Sequence, residues 1–95
     1  MFTIIMRPLA KEDLKDIWRY TYKEWGERQA DKYLIELGTG IDGLTDNPEL
    51  GITCYYESKY RQYMINHHII CYRIENTEII IVRVLHERMD PKRHL

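Results

Sequence analysis

Arg61, Arg83 and His86 are the side chains of this 95-residue sequence best suited to act on a phosphodiester. Cleaving RNA by transesterification needs a base for the 2′-hydroxyl proton, cations for the phosphorane charge and an acid for the leaving oxygen. Arg61 and Arg83 would supply charge, His86 the acid, and Glu57 or His67 the base. An imidazole with its ordinary pKa near ~6.5 suits either proton transfer. Each residue also has a structural explanation. Arginines on neighbouring strands commonly pair with carboxylates, here Glu57 or Glu75. His86 could simply fasten the tail to a sheet. His86 and His94 are eight apart, with no thiolate or carboxylate spacing to support them, so no metal is expected and no cofactor either.

The last thirteen residues, Arg83 to Leu95, are chemically dense. An apolar run from Ile79 to Leu85 breaks into a tail that alternates His86, Arg88, Met89, Asp90, Arg93 and His94. Mixed chemistry just past a rigid strand is typical of a recognition surface, although a solvated terminus has the same composition.

Composition narrows the function classes. Ninety-five residues make one domain, 1–95. Net charge is −1, and it is uneven: residues 1–50 hold seven Lys/Arg against ten Asp/Glu, a net of −3, and residues 51–95 hold seven against five, a net of +2. Proteins that clamp nucleic acid through phosphates are far more basic, because that affinity comes from Lys and Arg displacing counterions. Direct sequence-specific nucleic-acid binding is therefore not expected. Cys54 and Cys71 lack paired spacing and are expected to be buried free thiols in a reducing cytoplasm. No signal-peptide pattern opens the chain and no apolar run approaches the ~18 residues of a membrane span.

The elements that must position these groups follow from periodicity. Phe2 to Met6 suits a short strand, ended by Arg7-Pro8. Leu14, Ile17, Trp18, Thr21 and Trp25 recur at three- and four-residue steps, which predicts a helix stopped by Gly26 in the αL conformation. Trp18 and Trp25 share one face, expected to pack on the sheet. A second helix is predicted from about Glu27 to Asp46, with a stripe of Ala30, Tyr33, Leu34, Leu37, Ile41 and Leu44, and with Asn47-Pro48 as its stop. Gly38, Gly40 and Gly43 are unfavourable inside it, by about 1 kcal/mol each. They mark either close backbone approach or a frayed second half. Beyond Gly51 the period changes to two, predicting strands at Tyr60–Ile65, His68–Ile74 and Glu78–Leu85, joined by short turns. The order is β-α-α-β-β-β, an α+β fold with a helical hairpin on a small, mainly antiparallel sheet.

Five pieces then coincide in order: Trp25-Gly26 with Gln29-Ala30 and Tyr33; Asn47-Pro48-Glu49-Leu50-Gly51; Tyr60-Arg61; His68-Ile69-Ile70-Cys71-Tyr72-Arg73; and Arg83 to Asp90, with its His-x-x-Met-Asp pattern. The chain resembles the ParE branch of the RelE/ParE toxin superfamily over almost its whole length. The resemblance implies a cytoplasmic bacterial toxin of a type II toxin–antitoxin module, neutralised by a ParD-like antitoxin and directed at DNA gyrase. The RelE branch instead cleaves mRNA on the ribosome, and a shared fold does not decide between them. Toxins of that branch tend to carry a Lys/Arg cluster on the sheet, which is sparse here. The expected target contacts are Arg83, His86, Arg88, Met89, Asp90, Arg93 and His94. Leu14, Trp18, Trp25, Tyr33 and Leu37 are the expected antitoxin contacts, wherever the sheet leaves the helices open.

Overall fold

The computed structural model describes residues 1–95 and places two helices on one face of a five-stranded sheet. Strand β1 (Thr3–Met6) leads into α1 (Pro8–Trp25) and α2 (Glu27–Asp42), followed by a 3₁₀ turn (Gly43–Thr45). Then come β2 (Ile52–Cys54), β3 (Glu57–Ile65), β4 (His68–Glu75), β5 (Glu78–His86) and a second 3₁₀ turn (Pro91–Arg93). The strand order is β1-β5-β4-β3-β2, with β1 parallel to β5 and every other pair antiparallel. This is the expected α+β fold with one addition: the short edge strand β2, too brief to leave a period in the sequence. Helix α2 also stops four residues sooner than expected, the chain tightening into the 3₁₀ turn instead.

Gly26 is the hinge of the hairpin. Its φ of +92° and ψ of 174° are not αL, but they lie in an extended positive-φ region open essentially to glycine alone. Its N–H caps α1 on the Tyr22 carbonyl and its own carbonyl accepts from Ala30 N, so one residue closes one helix and opens the next. Asn66 and Asn76 adopt left-handed φ values of 52° and 55° in the two hairpin turns, where Asn is tolerated.

The core lies between helices and sheet: Ile70, Tyr72, Ile79, Ile81 and Val84 meet Ala10, Ile41 and Leu44. A second apolar cluster, Ile69, Cys71 and Leu85, occupies the opposite face, and Leu95 folds back against it. Both cysteines are free and buried, and burial pushes the Cys71 thiol up to about 12. The Tyr72 hydroxyl donates to Pro48 O (2.6 Å) and accepts from Gly51 N (2.9 Å), pinning the loop that follows α2 to the sheet.

The tryptophans do not pack on the sheet. Trp25 is 73% exposed, and Trp18 stacks on Tyr22 with ring centroids 5.2 Å apart while its indole N–H donates to Asp31 on α2. Helix α1 turns Ala10, Leu14, Ile17 and Thr21 inward instead, because smaller groups allow a closer approach.

The glycines of α2 divide by environment. A Cβ on Gly40 would collide with the Ile65 side chain, whereas a Cβ on Gly38 would meet nothing within 4 Å. Gly38→Ala therefore stabilises the chain by about 0.5–1 kcal/mol through helix propensity. Gly40→Ala has the same propensity gain but forces the Ile65 side chain to repack at about 1–3 kcal/mol, a net loss. Thermal melts of the two variants should shift in opposite directions; a gain from Gly40→Ala would rule out the close approach.

Candidate target-binding tail and partner groove

Two arginines of the sheet, Arg61 and Arg83, are hydrogen-bonded within the scaffold, while Arg73 Nε is buried without a hydrogen bond. Strand β1 covers β5 only as far as Ile81, so beyond it the edge of β5 lies open. Asp13 of α1 fills that gap. Its carboxylate accepts from Arg83 Nε (2.8 Å) and Nη2 (2.9 Å) and from Val84 N (2.9 Å). The Asp13 carboxylate holds the Arg83 guanidinium above its ordinary pKa. Arg61 Nη1 donates to the Gly51 carbonyl at 2.8 Å, and Arg73 faces Glu75 at 3.3 Å. Thus the partner of Arg83 is neither Glu57 nor Glu75, because the carboxylate comes from a helix 70 residues away. Arg83 is only 16% exposed and belongs to the scaffold, which removes it from the expected target contacts. Arg61, Arg83 and His86 each engage a structural partner, namely Gly51 O, Asp13 and Arg88 N.

The tail leaves β5 through a set of local bonds. Glu87 N donates to His67 O (2.8 Å), Met89 N to His86 O (2.9 Å) and Arg88 N to His86 Nδ1 (3.1 Å). His67 Nδ1 lies 2.7 Å from Glu87 Oε2. Asp90 caps the final 3₁₀ turn, accepting from Lys92 N at 3.1 Å. Arg88, Met89, Asp90, Arg93 and His94 are exposed on this bonded segment, with Met89 at 37%.

Behind the tail lies a constellation that the sequence does not announce. Tyr33 Oη of α2 lies 2.6 Å from His68 Nδ1, and the His68 ring meets His86 edge-on at 5.3 Å. His68 is 9% exposed, and burial, reinforced by His86 and His67, lowers its pKa to about 4. Its ring is neutral at pH 7 and able to accept from the Tyr33 hydroxyl, which burial keeps protonated. The unfolded His68, near ~6.5, takes up a proton first as pH falls, so stability drops between about pH 6.5 and pH 4 and levels below. The loss is on the order of 2–3 kcal/mol. Urea midpoints at pH 7.5 and 4.5 should differ more for the native chain than for His68→Asn; equal differences would mean that His68 is not the titrating group.

An open groove lies between the helices, lined by Leu14, Lys15, Trp18, Arg19 and Leu34. Of the expected antitoxin contacts, Leu14 and Trp18 line it and Trp25 stands exposed beyond it. Leu37 is 0% exposed and out of any partner's reach, because α2 turns it with Ala30 and Ile41 into the interior. Tyr33 is drawn toward His68 rather than into the groove. Leu34 joins Leu14 and Trp18 in the groove, and Tyr22 stacks on Trp18 beside it.

The profile described as ParE toxin of type II toxin-antitoxin system, parDE, matches residues 4–91. The chain belongs to the ParE toxin family. Toxin ParE1 of Mycobacterium tuberculosis is 40% identical over 93 residues, covering 96% of this chain and 95% of that protein. Toxin ParE1 of Caulobacter vibrioides is 36% identical over 87 residues, 90% of each chain. Toxin ParE of Escherichia coli is 30% identical over 92 residues, covering 95% of this chain and 89% of that one. Among solved structures, the chromosomal ParDE TA system from P. aeruginosa superposes with a TM-score of 0.81 at 18% identity, covering 90% of this chain and 96% of that one. The YoeB-YefM complex from Staphylococcus aureus gives 0.59, also at 18% identity, covering 90% and 97%. At that identity the two structures speak for the ParE-like fold alone. No helix of the chain is long and apolar enough to cross a membrane.

Proposed function

We propose that this ParE-family toxin acts in the cytoplasm by binding and inhibiting DNA gyrase through the segment 86–95, and that a ParD-like antitoxin neutralises it from the groove between α1 and α2. The observation that carries this reading is the division of its cations. Arg61 and Arg83 are turned onto Gly51 and Asp13, whereas Arg88, Lys92 and Arg93 stand exposed beside Met89 on a bonded tail. A phosphoryl-transfer site needs cations free to meet developing charge. A protein target needs an adaptable apolar contact flanked by charges, which Met89 and its neighbours offer. With a net charge of −1, no sequence-specific nucleic-acid binding by the toxin itself is invoked.

The antitoxin side rests on Leu14, Trp18 and Leu34, an apolar floor with the Trp18–Tyr22 stack beside it. An amphipathic helix laid in such a groove is a recurrent mode of recognition. The test is a supercoiling assay with purified gyrase, relaxed plasmid and ATP, with and without the cognate antitoxin. Inhibition or trapped cleaved plasmid, reversed by the antitoxin, is the expected result. If the folded, antitoxin-free toxin leaves supercoiling untouched and its induction produces new transcript ends, the gyrase reading fails in favour of ribosome-dependent mRNA cleavage.

A further inference from the structure

We propose that Tyr33 is a positioning residue for the tail, acting from α2 through the His67–His68 corner onto His86, Glu87 and Arg88. The inference rests on the reading that the tail meets the target. Two routes leave the Tyr33 hydroxyl. It accepts from His67 N at 3.3 Å, which holds the β3–β4 turn; the same residue's carbonyl then receives Glu87 N at 2.8 Å. The hydroxyl also donates to His68 Nδ1, which fixes the tautomer and the ring plane that His86 meets at 90°. His86 in turn accepts Arg88 N on Nδ1 and Met89 N on its carbonyl. Helix α2 grips the same turn a second time, through Asn66 Nδ2 to Glu36 Oε2 at 3.1 Å.

The geometry explains why a half-buried tyrosine sits here at all. An apolar ring would pack equally well against the hairpin, but only a hydroxyl can accept from one residue of the turn while donating to the next. Arg88 and Met89 would otherwise begin a free terminus, and an ordered contact costs less conformational entropy on binding than a disordered one. Fixing the first residues of the tail from a helix of the scaffold supplies that order.

The test compares Tyr33→Phe, His86→Phe and His86→Asn in the full chain by amide hydrogen exchange, with gyrase inhibition measured in parallel. Tyr33→Phe should speed exchange at Glu87, Arg88 and Met89 three- to tenfold, leave the core amides of Ile70 and Ile79 unchanged, and weaken inhibition by a similar factor. His86→Phe keeps a ring against His68 but removes the acceptor, so it should free Arg88 in the same way. His86→Asn should restore protection at Arg88, because an Asn side chain can accept from the N–H two residues on. Unchanged exchange at residues 87–89 in Tyr33→Phe would overturn the proposal. So would a uniform increase across the whole chain, which would make Tyr33 an ordinary stability residue. The exchange data decide the positioning role even if the native chain fails to inhibit gyrase, so the two ideas fail separately.

Discussion

Asp13→Ala lowers the unfolding free energy by about 3 kcal/mol, the lower end of the cost of breaking a buried ion pair from one side, because this pair is only partly buried. The substitution strands three donors at once, Arg83 Nε, Arg83 Nη2 and Val84 N. The Arg83 guanidinium loses both its bonds in a site where it is only 16% exposed, and Val84 N loses the acceptor that stands in for a longer β1. At roughly 4–8 °C per kcal/mol for a domain of this size, the melting temperature falls by more than about 12 °C. Asp13→Asn keeps an acceptor for one donor but loses the charge, and should land between Ala and the native residue. Urea denaturation of the three proteins checks the order. A cost below about 1 kcal/mol for the alanine variant would mean that water satisfies Arg83 and that the pair does not hold α1 to β5.

The combined variant Arg88→Ala/Met89→Ala/Arg93→Ala is expected to raise the toxin concentration needed for half-inhibition of supercoiling by more than about 100-fold. Central interface residues commonly contribute about 2 kcal/mol or more each, and three of them exceed that factor even with heavy non-additivity. Stability should change little, because the bonds that shape the tail are made by the backbone of Arg88, Met89 and Arg93 and by Asp90, all of which survive. This design is cleaner than truncation after Leu85. Truncation would also remove His86 from the end of β5 and uncover Ile69, Cys71 and Leu85, which Leu95 protects. Full inhibition by a folded triple variant would show that the tail is not the target surface.

Strand β4 and the long part of β5 were legible because unbroken apolar runs describe strands buried on both faces, and both are (Ile69 to Tyr72, Ile79 to Ile81). Strand β2 was not legible: its three residues include two exposed ones and a register shift at Cys54. The periodicity of α1 and α2 located each apolar stripe but not its rotation to within one residue. That uncertainty carried Leu37 from the surface to the core and Trp25 from the sheet to solvent. The role of Gly40 could not be separated from that of Gly38, since both read as helix-breaking residues until Ile65 of β3 arrives beside one of them.

The site divides along the same line. The tail's composition marked Arg88, Met89, Asp90, Arg93 and His94 as a dense recognition segment, and the ordered motifs identified the family. Local chemistry suffices for both, because side-chain type and short-range spacing are properties of the chain. Which arginines are free is not such a property. Asp13 and Arg83 are 70 residues apart, and Tyr33 and His68 are 35 apart. Each pair meets only because α1 plugs the open edge of β5 and α2 crosses the corner of β3 and β4. The sequence by itself determined the toxin family, the elements other than β2 and the cations at the end of the chain. Tertiary structure decided that Arg61 bonds Gly51, that Arg83 pairs with Asp13 and that Tyr33 meets His67 and His68, since an ion pair or hydrogen bond depends on distance and the chain alone does not specify it.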